Sequence, residues 1–121
     1  MPGHRPARIA EMIHRELAQR LRLEVKDPRV TEISITHVRV TGDLRRAYVQ
    51  YLPLGGEAPG DDLIEGLQEA AKQLRGPIGR ALRLRHAPEL LFEIDTHTLE
   101  AVRMTNLLDK LSAERVDRES E

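Results

Sequence analysis

The side chains that could do chemistry in this chain are mostly cations, and they are clustered. Residues 72–86 contain five cations and no acid, whereas residues 57–69 contain five acids and no base. Arginine binds a phosphate through two parallel hydrogen bonds, so a row of arginines is typical of a surface that binds a polyanion. On a helix, positions 72, 75, 79 and 83 recur at three- and four-residue steps, so Lys72, Arg75 and Arg83 would place cations at three of four positions along one face. The cations of this segment are Lys72, Arg75, Arg80, Arg83 and Arg85.

Two further sets of arginines are candidates for the same role. Arg8, Arg15 and Arg22 are seven residues apart, about two helical turns, and would line up on one helix face. Arg45 and Arg46 follow a turn signal. Because the net charge is only −1, a nucleic acid would have to bind one basic surface rather than the molecule as a whole. The alternative is that these runs are simply solvated charges.

No set of residues indicates catalysis, a metal or a cofactor. The absence of cysteine excludes disulfides and thiolate chemistry. The five histidines are scattered and none has H-x-x-x-H spacing, which argues against a zinc site. No glycine-rich phosphate loop follows a predicted strand, and Asp61 and Asp62 are better explained as the start of a helix. We therefore expect no enzyme activity, no cofactor and no small-molecule substrate.

Hydrophobic spacing predicts one domain, residues 1–111, followed by a polar tail. Apolar residues that recur at three- and four-residue steps predict helices, and alternating apolar residues predict strands. The tail, residues 112–121, is expected to be disordered. The predicted elements are helix 5–25, strand 30–41, strand 45–52, helix 63–82, strand 89–95 and helix 99–111.

Three local features refine this order. The apolar residues of the first strand change parity near Thr36, which indicates a β-bulge. A short connection with Thr41-Gly42-Asp43 predicts that the first two strands form an antiparallel hairpin. Gly76-Pro77 interrupts the second helix. Since proline clashes with the carbonyl four residues before it, we expect a kink or break between residues 73 and 77.

The four residues Gly76-Pro77-Ile78-Gly79 also match the G-x-x-G loop that clamps nucleotide backbones in KH domains. Two fixed positions make this a weak pattern. The simpler interpretation is a helix break, with Pro77 at the first position of the next helical segment. We favour the helix break.

Several longer stretches resemble the ribosome-binding factor A family, and the resemblance covers about residues 5–111. The stretches that carry it are Lys26-Asp27-Pro28-Arg29-Val30, Val40-Thr41-Gly42-Asp43-Leu44 leading to Ala47-Tyr48-Val49, Leu82-Arg83-Leu84-Arg85 with Pro88-Glu89-Leu90, Phe92 and Asp95, and Arg103-Met104 with Asn106-Leu107-Leu108.

The resemblance implies an α+β fold, a type II KH-like domain with the order α-β-β-α-kink-α-β and a C-terminal helix. It implies binding to the free small (30S) ribosomal subunit and its 16S rRNA, help in late maturation and 5′-end processing of that RNA, and a role in cold adaptation in bacteria. The family usually has a kink with an Ala-x-Gly pattern. Here Ala70-Ala71-Lys72 lacks the glycine, and Gly76-Pro77 would supply the break one turn later.

The corresponding expectation is a cytoplasmic protein, because no apolar run suggests a signal peptide or a membrane span. We also expect a monomer off the ribosome. Two alternatives stay open. One is a KH-like module that binds another single-stranded RNA through the loop at residues 76–79, although no aromatic residue lies nearby to stack bases. The other is an adaptor whose charged faces bind proteins.

Overall fold

The structure, a computed structural model, describes residues 4–30, 32–55 and 57–119 and has an α+β fold. The element order agrees with the type II KH-like fold that we expected. The elements are α1 (His4–Leu23), β1 (Ile33–Val40), β2 (Arg46–Pro53), α2 (Asp61–Ala81), β3 (Glu89–Ile94) and α3 (Thr96–Glu119).

The sheet has the order β1-β2-β3. β1 and β2 are antiparallel, which confirms the predicted hairpin, and their register shifts between Ile35 and His37, which confirms the predicted bulge. β2 and β3 are parallel, so the chain must cross over between them, and α2 is that crossover. β3 is therefore an edge strand and β2 the central one.

One face of the sheet carries the main hydrophobic core. Ile13 and Leu17 of α1 and Ile78 of α2 are fully buried there, against alternating strand residues such as Val49. α1 packs over β1 and α2 packs beside β3. The helices thus cover one sheet face, and the residues of opposite parity face away from the core.

α2 differs from the prediction, because it runs from Asp61 through Pro77 to Ala81 as one helix. The expected break into two helices is wrong, and a bend at the proline stays a prediction. Pro77 lies close to the C-terminal end of α2 and has no backbone N–H. The only helical hydrogen bond lost is therefore the one that the carbonyl of Gln73 would accept. Burial of Ile78 holds the last turn in place.

Gly79 is also buried in α2, and a Cβ there would lie 2.7 Å from the Cβ of Ala87. The interpretation of residues 76–79 as a G-x-x-G loop is therefore wrong: they are helical, and Gly79 lets the segment before β3 approach the helix.

α3 is longer than expected. It begins at Thr96 rather than 99, and residues 112–119, which we predicted to be disordered, continue the helix. No proline or glycine follows Leu111 to end it, and Ala113, Glu114 and Arg115 favour helix. Leu99 is buried, whereas residues 103–115 are exposed, so most of α3 extends away from the core. Within the described residues, no helix has the length and apolar content needed to cross a membrane.

Candidate nucleic-acid interface

α2 connects two ends of the molecule, which differ in their charges. At one end, β2 and β3 finish, and α2 and α3 begin; we call this the α3 end. The other end, which we call the turn end, contains the β1–β2 turn with the first residue of β2 (residues 41–46), the C-terminal half of α2 (residues 72–81) and residues 82–89. A hydrogen bond of 2.8 Å from the Glu89 amide to the Arg45 carbonyl joins the two segments of the turn end.

The β1–β2 turn holds its backbone with side-chain hydrogen bonds. The hydroxyl of Thr41 donates to the Asp43 carboxylate at 2.6 Å and accepts from the Arg46 amide at 3.2 Å. The Arg45 amide donates to the same carboxylate at 3.1 Å. The Thr41 and Arg45 hydrogen bonds lower the pKa of Asp43, which keeps it ionised. The turn thereby fixes the backbone of Arg45 and Arg46 while both side chains stay exposed.

Three arginines converge on one open depression at the turn end, with a volume of about 440 Å³. Arg75 reaches it from α2, because its Nε donates to the carbonyl of Ala87 at 3.1 Å. Arg46 is 4.0 Å from the Glu89 carboxylate, and both are exposed, so this pair holds the arginine weakly. The depression is lined by Arg45, Arg46, Arg75, His86, Ala87 and Glu89.

A groove of about 480 Å³ adjoins this depression between α2 and the edge strand β3. Lys72 and Arg75 lie on its helix side, one turn apart, and Leu90 and Phe92 lie on its strand side. Arg75 lines both sites. The strand side also includes Glu89. An extended, negatively charged chain in this groove would therefore place its phosphates along the helix side, next to Lys72 and Arg75.

The end of α2 corrects one detail of the predicted cationic face. Arg83 lies beyond the helix, with φ of 54°, so it is not aligned with Lys72 and Arg75. The Arg83 amide donates to the Arg80 carbonyl at 3.1 Å, and the Leu84 amide donates to the Gly79 carbonyl at 2.9 Å. These two bonds form a Schellman motif, in which glycine usually occupies the left-handed position.

The arginines at this end have few partners. Arg80, Arg83 and Arg85 are exposed, and among the described residues none of their side chains forms a hydrogen bond or ion pair. Arg80 lies along its own helix, within 3.3 Å of where a Cβ of Gly76 would be. They flank the depression without lining it.

The arginines of α1 form a separate set. Arg8, Arg15 and Arg22 are exposed, but α1 packs over β1, at the opposite edge of the sheet from β3. Arg15 is 3.3 Å from Glu11. Arg22 lines a different depression with Glu32. The ten candidates therefore divide between the turn end and α1.

One cation–aromatic pair was missed by the sequence reasoning. The Cζ of Arg39 lies 4.5 Å from the ring centroid of Tyr48, on the sheet face opposite the helices. Parity could have found it, because Arg39 alternates with the buried Val38 and Val40 and pairs with Tyr48 across the hairpin.

At the α3 end, charged groups are paired within the fold. Buried Asp95 accepts hydrogen bonds from the Thr36 hydroxyl at 2.6 Å and from the Thr98 amide and hydroxyl at 3.0 and 2.7 Å. These bonds lower its pKa to about 2. Asp95 thus caps α3 and ties it to the β1 bulge, and its low pKa does not suit a general acid.

Arg29 is paired in a similar way. It is 2.7 Å from the Asp27 carboxylate and 3.6 Å from that of Glu65, and its hydrogen bonds lower the pKa of Asp27. Within the described residues, no group of three histidine, aspartate or glutamate side chains could hold a metal ion.

Comparisons with known proteins identify the family. A family model described as ribosome-binding factor A matches residues 5–108. The chain belongs to the ribosome-binding factor A family. A family member from Desulforamulus reducens is 39% identical over 112 residues, which cover 93% of each chain. Another, from Thioalkalivibrio sulfidiphilus, is 43% identical over 110 residues, 91% of this chain and 85% of that one.

Solved structures agree with the fold. A homology model of the Thermus thermophilus ribosome-binding factor A, fitted into a cryo-EM map of a 30S complex, has a TM-score of 0.61 at 23% identity and covers 73% of this chain and 92% of that one. The crystal structure of a Thermus thermophilus ribosome-binding factor A has a TM-score of 0.55 at 22% identity. The match covers 78% of this chain and 96% of that one. The resemblance stated from the sequence is thus confirmed.

Proposed function

We propose that this chain is a ribosome assembly factor that binds the free small (30S) ribosomal subunit through its 16S rRNA, with the turn end as the RNA-binding surface. The observation that carries the proposal is the convergence of Arg45, Arg46 and Arg75 on one depression. Its relatives are named for ribosome binding, and a Thermus thermophilus family member is described in a complex with 30S.

The local charge supports RNA as the ligand. The depression holds three guanidinium groups against one carboxylate, Glu89, and the adjoining groove adds Lys72. Each cation that neutralises a phosphate releases condensed counterions, so binding is driven by salt-dependent electrostatics even though the whole chain carries a charge of −1. Guanidinium groups also fit phosphates bidentately, which fixes the orientation of the bound strand.

The role that follows is one of holding RNA rather than of chemistry. We propose that the protein assists late maturation of 16S rRNA, including 5′-end processing, without catalysing a step itself, and that it contributes to cold adaptation. This part rests on the family. It accords with a site in which three of the six lining residues are arginines. We further propose that it is a cytoplasmic protein and a monomer off the ribosome.

Gradient sedimentation tests the proposal. The full chain is mixed with purified free small subunits, or with assembled ribosomes, at equal concentration and at one fixed salt concentration. We expect it to travel with free small subunits and to remain at the top of the gradient with assembled ribosomes. Equal occupancy of both particles would contradict the proposal.

An RNA arm separates RNA binding from protein docking. The same chain is mixed with purified 16S rRNA that carries no ribosomal protein. Binding that depends on Arg45, Arg46 and Arg75 supports the RNA-binding surface. Binding to subunits together with no binding to the naked RNA would favour the adaptor alternative instead.

A further inference from the structure

The sheet face opposite α1 and α2 has an open stacking surface near the turn end. Arg39 on β1 and Tyr48 on β2 are direct partners in the hairpin register, and Leu91 on β3 is next to Tyr48 in the same row. Arg39 is exposed, and Tyr48 is half-buried beneath it. The guanidinium group lies over the ring, at 4.5 Å from its centroid, so its opposite side is open to solvent.

The fold itself gains little from this pair. A cation–aromatic contact at an exposed site contributes about 0.5–1 kcal/mol. Arg39 makes no ion pair with a described residue. Its guanidinium group is therefore available for a ligand, and its contact with the Tyr48 ring keeps it close to the sheet rather than extended into water.

The surface is continuous with the basic depression. Arg46 precedes Tyr48 by two residues on β2, so both side chains are on the same sheet face, about 7 Å apart along the strand. Arg46 also lines the depression with Arg45 and Arg75. A chain whose phosphates contact these arginines would therefore reach Arg39 by passing Arg46, with Glu89 as the one carboxylate that lines the depression.

The acids on this face define where the chain can lie. Glu89 is near Arg46, at 4.0 Å, and Glu93 accepts a hydrogen bond from Gln50 at 3.4 Å. Both acids are on the edge strand β3. They would repel phosphates there, so a bound strand would pass over β1 and β2, where Arg39 and Tyr48 lie.

We propose that Arg39, supported by Tyr48, is a stacking site for one unpaired base of single-stranded RNA. This inference rests on the proposed function, because the depression must hold the neighbouring phosphates. Guanidinium planes and aromatic rings both stack on bases that are splayed out of a helix. A base inside a duplex is already stacked on its neighbours, so the site would discriminate in favour of single strands.

Conservative substitutions test the stacking directly. Binding is measured by fluorescence anisotropy with a labelled single-stranded RNA dodecamer of mixed sequence and with its blunt-ended duplex. Arg39→Lys keeps the positive charge but removes the planar guanidinium group, and Tyr48→Leu removes the aromatic ring. For loss of one base–aromatic stack, we expect each to weaken single-strand binding by about 5- to 100-fold. Duplex binding and the salt slope should not change, since no phosphate contact is lost.

Matched controls make the result specific. Arg22→Lys makes the same change at an exposed arginine of α1, and Tyr48→Phe retains the ring; both should bind like the unaltered chain. If circular dichroism shows that Tyr48→Leu is not folded, RNA binding by Arg39→Lys alone tests the proposal, because Arg39 is exposed.

The outcomes separate the two proposals. Unchanged single-strand binding by Arg39→Lys, together with weakened binding when Arg45, Arg46 and Arg75 are replaced by Gln, would overturn the stacking site and leave the proposed function standing. An equal loss of affinity for the single-stranded RNA and for the duplex in Arg39→Lys would also overturn the stacking site. If the chain binds neither RNA, the RNA-binding surface itself is wrong.

Discussion

The two ends of α2 contain the same residue types but use them differently. At the α3 end, Arg29 lies between the carboxylates of Asp27 and Glu65, and Asp95 is surrounded by hydrogen-bond donors. At the turn end, the arginines after residue 79 have no side-chain partner among the described residues. The candidate binding surface is thus marked by the convergence of arginines on one depression, rather than by the number of cations.

The comparison predicts that changes at the α3 end affect stability, whereas changes at the turn end affect binding. Asp95→Ala should have the largest effect on stability. It removes the cap of α3 and leaves the Thr36 hydroxyl without its carboxylate partner, which we expect to lower the free energy of unfolding by about 2–3 kcal/mol. Urea denaturation measures this. A loss below about 0.5 kcal/mol would mean that the Asp95 network is not structural.

The pH dependence of this contribution follows from the low pKa of Asp95, about 2 against an ordinary 3.8. The folded protein binds this proton less readily than the unfolded chain does. The stabilisation is therefore complete above about pH 4 and is lost as the pH falls towards 2, by about 2 kcal/mol. Asp95→Asn serves as the control, because it cannot titrate. The difference in free energy of unfolding between the unaltered chain and Asp95→Asn should narrow as the pH falls from about 4 towards 2. It should stay constant above pH 5.

Alanine substitutions at two buried glycines of α2 compare how tightly the helix packs near its two ends. A Cβ on Gly79 would lie 2.7 Å from the Cβ of Ala87 and 3.2 Å from its Cα, whereas one on Gly66 would meet the side chain of Val30 at 2.9 Å. Ala87 cannot move without its backbone. At Gly66 the Val30 side chain can rotate, although the Arg29 Cβ at 3.1 Å and carbonyl carbon at 3.4 Å cannot. We expect Gly79→Ala to lower the free energy of unfolding by about 1–2 kcal/mol, even after the gain in helix propensity.

Gly66→Ala should cost about 1 kcal/mol less than Gly79→Ala, since a rotamer change relieves part of the overlap. Thermal unfolding of the two variants, monitored side by side, provides the measurement. A smaller loss at Gly79 than at Gly66 would show that the segment before β3 does not pack tightly on α2.

Arg83→Gly should separate stability from binding at the turn end. Arg83 has a positive φ of 54°, which glycine adopts without strain, so the substitution should stabilise the fold by about 1 kcal/mol. It also removes an exposed guanidinium group, so affinity for single-stranded RNA should fall. A protein that is both more stable and equally tight in binding would remove Arg83 from the candidate surface.

Much of the fold could be predicted from the sequence because its signals are local. The alternation of apolar residues placed the hairpin, and the parity change near Thr36 placed the bulge. The continuity of α2 through Pro77 was missed because it depends on tertiary packing: burial of Ile78 outweighs the cost of Pro77. The length of α3 was also missed, because a polar segment that no neighbour covers can still be helical when its residues favour helix.

The candidate site was predictable only in part. Composition identified the cationic segment, but it could not show that Arg75 is aimed by the Ala87 carbonyl towards Arg45 and Arg46. These residues are about thirty positions apart in sequence and meet only because β2 and β3 are parallel neighbours. Sequence spacing likewise put Arg83 on a helix that ends before it.

The most direct measurement compares two sets of three arginines by the salt dependence of RNA binding. The turn-end variant replaces Arg45, Arg46 and Arg75 with Gln. The α1 variant replaces Arg8, Arg15 and Arg22 with Gln, so both variants lose three positive charges. Circular dichroism first confirms that both are folded. Affinity for a labelled single-stranded RNA is then measured from 50 to 200 mM salt.

We expect the turn-end variant to reduce the slope of log affinity against log salt by about 0.7 for each lost phosphate contact, about 2 in total. The α1 variant should retain nearly the full slope. The opposite result, an unchanged slope for the turn-end variant and loss of binding for the α1 variant, would contradict the account and place the RNA on α1.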